Sequence, residues 1–170
     1  MASDHISNLR AAIKVRPARL VELDRLAAIG LSAWERGIRP LVPAAAWERM
    51  RSVNPFRAFL RNRGSTVMVA DLRGEPAGIA ARDGGCISDL WVAPLHEGRG
   101  VGSALLATLE DAIAQGGHAQ ARLEVLSANL RALALYRRRG YRPAWEGFRC
   151  DLSLGIELHK IGLIKALAPV

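Results

Sequence analysis

The stretch Cys86 to Ala107, CISDLWVAPLHEGRGVGSALLA, constrains this chain more than any other. Ile87 to Val92 is an apolar run of strand length and strand composition. Ala93 and Pro94 end it, because proline cannot donate to a sheet ladder. A turn with Gly98, Gly100 and Gly102 follows, and then Val101, Leu105, Leu109 and Ile113 recur at helical spacing. The unit is therefore strand, glycine-rich turn, helix. Glycines there let the backbone pass close to a ligand. The free N–H groups at the helix start favour an anion, phosphate above all. Two familiar glycine motifs do not fit. A dinucleotide fingerprint needs glycine after Gly102, where Ser103 stands, and a P-loop needs a lysine that this turn lacks.

The rest of the chain frames that unit. Its 170 residues suit one domain over 1–170 with a substantial core, and residues 1–12 read as a flexible tail. Half the residues are hydrophobic, which argues against disorder, yet no apolar run reaches membrane-spanning length. Two cysteines, Cys86 and Cys150, are too few for a disulfide framework or a zinc cage. These features point to a cytoplasmic protein without a metal centre. The net charge of +8 fits nucleic acid, an acidic substrate or a polyanionic cofactor. A base-stacking surface would need aromatic residues interleaved with the basic ones, and these are missing, so nucleic acid is disfavoured.

In chain order, Ile13 to Arg16 reads as a strand, and Pro17 fits the first turn of a helix carrying Leu20, Leu23, Ala27, Gly30 and Trp34 on one face. Arg36 to Pro43 is a break, Ala44 to Val53 a helix, and Phe56 to Leu60 another helical turn. Trp34, Trp47, Phe56 and Phe59 read as core packing, with a substrate-facing wall as the sharper alternative. Thr66 to Ala70 and Ala77 to Ala81 are strands, and Asp83-Gly84-Gly85 is a hairpin signal. After the glycine-initiated helix, Gly116-Gly117 is the stop. Ala121 to Leu126 is a strand, Asn129 to Arg139 a helix with Gly140 as its cap, and Tyr141 to Trp145 and Gly155 to Leu163 are strands.

Two segments carry a family resemblance. Val92, Pro94, Gly100 and Gly102 match a strand ending V-x-P followed by Q/R-x-x-G-x-G/A, with Glu97 in place of Gln or Arg. Asn129, Ala132, Tyr136, Gly140 and Tyr141 match N-x-x-A-x-x-x-Y-x-x-x-G-F/Y. Together they resemble the GNAT superfamily of N-acetyltransferases from about Ile13 to Leu163, and LEVLSAN is most similar to the ribosomal-protein alanine acetyltransferases. The resemblance implies an α/β (α+β) fold. Its mixed, mostly antiparallel sheet is flanked by helices and splays between the strand ending at Val92 and the strand at Ala121 to Leu126.

Acetyl-CoA, as co-substrate, would lie in that cleft. Its pantetheine arm would pair with Leu90, Trp91 and Val92, and its pyrophosphate would sit on the N–H groups of Gly98, Arg99, Gly100, Val101, Gly102 and Ser103. Asn129 would bond the pantetheine, and Arg99, Arg137 and Arg138 could neutralise phosphate. Glu97 is unfavourable if it faces the pyrophosphate. The implied reaction is direct acetyl transfer to a primary amine, a small molecule or a protein N-terminus. The Val92 N–H would stabilise the thioester oxygen. Tyr136 is the proton donor to the departing thiolate by resemblance, and Glu124 the base, its pKa raised by burial. Asp89 or ordered water are the alternative bases, and His96 reads as a surface loop residue. A homodimer follows from family analogy. The competing class is a non-catalytic acyl-CoA-binding module, which the Glu97 substitution alone supports.

Overall fold

The structure, a computed structural model, describes residues 13–168; the expected tail over 1–12 lies outside the described residues. One sheet holds β1 (Ile13–Pro17), β2 (Met68–Leu72), β3 (Glu75–Asp83), β4 (Cys86–Val92), β5 (Gln120–Leu126), β6 (Arg142–Asp151) and β7 (Ile156–Ala166). The strand order is β1-β2-β3-β4-β5-β7-β6. Every neighbouring pair is antiparallel except β4 and β5, which are parallel. A parallel pair needs a crossover, and helix α4 (Val101–Gln115) supplies it.

Helices α1 (Leu23–Gly37), α2 (Ala44–Val53) and α3 (Pro55–Arg63) cover one face through Leu26, Trp34, Met50, Phe56 and Leu60, packed on Val69 and Ile79. On the other face lie α4 and α5 (Leu130–Arg138), where Leu105, Leu106, Leu109, Leu133 and Tyr136 pack on Ala70, Ala80, Leu123 and Val125. With both faces covered, β3 is buried continuously from Pro76 to Ala81, as its apolar run requires. Each fully buried leucine of α4 contributes about 1.5–3 kcal/mol.

Several sequence expectations shift. Pro17 closes β1 instead of opening a helix, a short 3₁₀ turn spans Leu20–Glu22, and α1 starts at Leu23. Leu20 is 70% exposed and leaves the apolar face, whose inner residues are Leu26, Ala27, Ile29, Gly30, Ala33 and Trp34. The expected break from Arg36 to Pro43 does separate α1 from α2, with a 3₁₀ turn, Arg39–Leu41, inside it. β6 and β7 form a much longer hairpin than their apolar content suggests. Their cross-strand pairing continues from Arg142 opposite Ile164 to Asp151 opposite Ile156, where the side chains are mostly exposed. Backbone pairing, which apolar periodicity does not register, extends it.

Gly30 has a packing role. A Cβ there would lie 2.4 Å from Cδ1 of Phe56, so glycine lets the Phe56 ring press against α1. That ring meets the Trp91 indole edge-on, at 5.4 Å and 83°. Helix packing on one face is thus transmitted directly to β4.

Candidate active site

β4 and β5 share a single register pair, Cys86 opposite Arg122, and a hydrogen bond from Arg122 N to Gly85 O at 2.9 Å. Beyond that point they diverge. The cause lies in β4. Its pairing with β3 passes from Ile87 opposite Arg82 to Asp89 opposite Ala81, which leaves Ser88 as an extra residue. Such a bulge bends a strand. The Ala93 N–H donates to the Ala77 carbonyl across β3 at 2.8 Å. Strand residues alternate sides, so the N–H groups of Leu90 and Val92 face away from β3, into the gap.

The gap opens into two cavities. The smaller, about 360 Å³, is lined by Leu90, Trp91 and Val92 and by the turn residues Gly98, Gly100, Val101, Gly102 and Ser103. Asn129 and Arg138 also line it, whereas Arg99 is exposed and does not. Gly98 and Gly100 adopt φ of +73° and +90°, conformations that admit glycine readily. Gly100 is the N-cap of α4 and has no side chain to occupy the first-turn N–H groups. Its carbonyl accepts from Ala104 N, and the N–H groups of Val101, Gly102 and Ser103 precede the first intrahelical donor. This end of α4 is built for an anion.

Asn129 caps α5, its Oδ1 accepting from Ala132 N at 3.1 Å. Its amide NH₂ keeps both donors for a ligand. Glu97 points along the cavity wall and pairs with Arg131, the second residue of α5. Arg131 was not singled out by sequence reasoning, although it sits two positions after the motif Asn129. His96 corrects a further expectation: it is half-buried and lines this cavity, and its Nδ1 is buried with no hydrogen-bond partner among the described residues.

The larger cavity, about 540 Å³, lies on the α1–α3 side. Ile38, Leu90, Trp91, Asn129, Ala132 and Tyr136 line both cavities, so the two meet at Tyr136. Trp34, Phe56 and Phe59 are at once core packing and cavity wall, which merges the two readings of these aromatics. Trp47 stays outside, flanked by the guanidinium groups of Arg39 and Arg51.

Tyr136 is buried against Tyr141, with ring centroids 5.7 Å apart. Burial pushes its phenol up to about 12, so it remains protonated throughout the neutral range. Glu124 also lines the larger cavity, but the burial expected for it is absent: its side chain is 50% exposed and lies 3.6 Å from Lys160. Along β5 it alternates with the inward-facing Leu123 and Val125, so it projects from the opposite face of the sheet to Tyr136. The two can reach one space only because the sheet is split between them. Asp89 lines the same cavity and accepts from the Trp91 indole N–H at 3.2 Å. Lys160 and Asp151 pair at 3.0 Å. They come from the β6–β7 hairpin, which no local motif marks. Burial opposes ionisation of Asp151, yet hydrogen bonds from Ser153 and Lys160 hold its carboxyl below the usual range.

Among the described residues, no group of three or more His, Cys, Asp or Glu could hold a metal ion, and no helix is long and apolar enough to cross a membrane.

Comparison with known proteins agrees with this geometry. Residues 30–141 match the family model described as the acetyltransferase (GNAT) family. A curated relative, a mycothiol acetyltransferase of Clavibacter sepedonicus, is 49% identical over 55 residues, 32% of this chain but 18% of that protein. The matched stretch thus spans less than a fifth of that relative. Among solved structures, the GCN5-related N-acetyltransferase from Rhodopseudomonas palustris is similar with a TM-score of 0.75 and 25% identity, over 91% of this chain and 95% of the other. A ribosomal-protein-alanine N-acetyltransferase from Brucella melitensis has a TM-score of 0.67 at 22% identity, covering 91% and 99%.

Proposed function

This chain belongs to the GNAT acetyltransferase family, and on that premise we propose that it transfers the acetyl group of acetyl-CoA directly to a primary amine. One observation carries the reading: the anion-binding end of α4 and a second cavity meet at the buried hydroxyl-bearing Tyr136. Leu90 to Val92 present free backbone edge to a pantetheine arm, as an added strand would use it. The pyrophosphate rests on the turn from Gly98 to Ser103, reached by the backbone of Arg99 and by the Arg138 side chain. Asn129 donates its amide to the arm. The Val92 N–H faces the gap where the thioester oxygen acquires charge.

The amine nitrogen attacks the thioester carbon, the C–N bond forms, the C–S bond breaks, and CoA leaves as thiolate. Glu124 takes the ammonium proton, and Tyr136 donates to the departing sulfur. We place the protein in the cytoplasm, acting as one catalytic domain and as a homodimer, with no nucleic-acid partner. A non-catalytic acyl-CoA-binding module would not require a buried phenol between two cavities.

Acetyl-CoA should raise the melting temperature by mass action. Gly100→Asp should abolish that shift, because φ of +90° disfavours a side chain and the added charge stands where the pyrophosphate lies. No shift in the wild-type protein, with no binding by calorimetry, would remove the proposal. Glu97→Gln should tighten CoA binding a few-fold at low salt. It removes an anion from the cavity wall and frees Arg131 for phosphate. Weaker binding would mean that the Glu97–Arg131 pair holds the site in shape.

A further inference from the structure

The larger cavity has two unlike ends. Trp34, Met50, Phe56 and Phe59 make one wall apolar. Asp89, Glu124 and Asp151 make the other acidic. Among the described residues lining it, Lys160 is the one Lys or Arg, and it is already engaged by Asp151 at 3.0 Å and Glu124 at 3.6 Å. The cavity therefore carries a negative balance inside a protein whose net charge is +8. A ligand carboxylate or phosphate entering it would meet three carboxylates and no uncommitted cation. Burying such a group without a partner is strongly unfavourable. A cationic amine meets attraction at the acidic end, which is also the end that holds the candidate base. An apolar body meets desolvated rings at the other.

We propose that the acceptor is a small primary amine with an apolar, aromatic-sized body and no anionic group, seated with its rings against Phe56 and Phe59 and its nitrogen toward Glu124 and Asp89. This rests on the acetyltransferase reading and narrows it. The volume of about 540 Å³ suits such a molecule. It also disfavours a long polycation, whose second charge would have to lie along Trp34 and Met50. The step balances as an alkylammonium plus acetyl-CoA giving the N-alkylacetamide, CoA thiol and one proton.

The test compares 2-phenylethylamine, L-phenylalanine, propylamine, spermidine and an alanine-initiated hexapeptide, each with acetyl-CoA, by release of free thiol. Phenylethylamine and phenylalanine differ by the carboxylate alone. Phenylethylamine should exceed phenylalanine in kcat/KM by about 10²-fold or more, and propylamine by about 10-fold or more. Phe59→Ala should narrow the preference over propylamine by about 10-fold, chiefly through KM. Phenylalanine, spermidine or the peptide outperforming phenylethylamine would overturn the inference, as would an unchanged preference in a folded Phe59→Ala protein. Transfer to another amine of the panel but not to phenylethylamine overturns this inference alone. A melting shift with no transfer to any amine overturns it together with the acetyltransferase reading in favour of the non-catalytic module, and absence of both the melting shift and calorimetric binding removes that reading as well.

Discussion

Replacing Tyr136 with phenylalanine should lower kcat by about 10²-fold or more, with the dissociation constant for acetyl-CoA changed by no more than about two-fold. The ring and its edge contact with Tyr141 survive the change, and only the hydroxyl is lost. Burial holds that hydroxyl near 12, well above a free thiol at about 8.5. Full proton transfer to a finished thiolate would therefore run uphill. On the proposed mechanism the gain would come while the C–S bond is breaking, when the hydroxyl would stabilise growing charge on sulfur. The same value sets a pH signature. Ionisation of Tyr136 should not depress kcat below about pH 11. A basic limb near pH 9–10 that vanishes in Tyr136→Phe would mean that the tyrosine acts as the acid but titrates without the shift that burial gives it, and near-full activity of the variant would make Tyr136 a packing residue. Glu124→Gln provides the complementary result. Turnover should fall most near neutral pH and recover partly at higher pH, where the amine arrives neutral. Equal loss at every pH would mean that the carboxylate positions the acceptor and does not take its proton.

Glu110→Ala should destabilise the protein by about 3 kcal/mol or more, measured by chemical denaturation. Among the described residues, Glu110 is the one buried charged side chain, on the inner face of α4. Its Oε2 accepts from Arg139 at 2.5 Å and from Lys165 at 2.6 Å, tying α4 to the end of α5 and to β7. Truncation leaves two partly buried cations facing each other without their carboxylate. Those cations keep some solvent, 28% and 23% exposed, which places the expected loss at the low end of the range for broken buried pairs. The Tyr141 hydroxyl lies in the same cluster, its pKa raised by burial and by the Glu110 charge. Since Tyr141 backs Tyr136, the variant should also lose turnover at temperatures where it remains folded. A loss under about 1 kcal/mol would mean that water replaces the carboxylate and the cluster is peripheral.

Local sequence determined the parts of this protein whose chemistry is carried by neighbours in the chain. The glycine turn and α4 were legible because positive φ at Gly98 and Gly100 and the 3.6-residue recurrence of Val101, Leu105 and Leu109 are properties of consecutive residues. The Gly84-Gly85 turn was legible for the same reason, whereas Asn129, read as the first residue of its helix, is the N-cap of α5. Tertiary structure decided everything that required elements distant in sequence to meet. Glu124 could not be read as half exposed, because that depends on how far the helices on its side of the sheet extend over β5. Lys160 and Asp151 enter the site from the β6–β7 hairpin, which no local motif marks, and Arg131, on a helix the sequence does mark, is drawn in by its pairing with Glu97. The gap itself depends on one unpaired residue, Ser88, which is visible only once β3 and β4 are in register. Propensity and spacing act over a few residues, whereas charge pairing, burial and the split of the sheet are set by contacts across the whole chain.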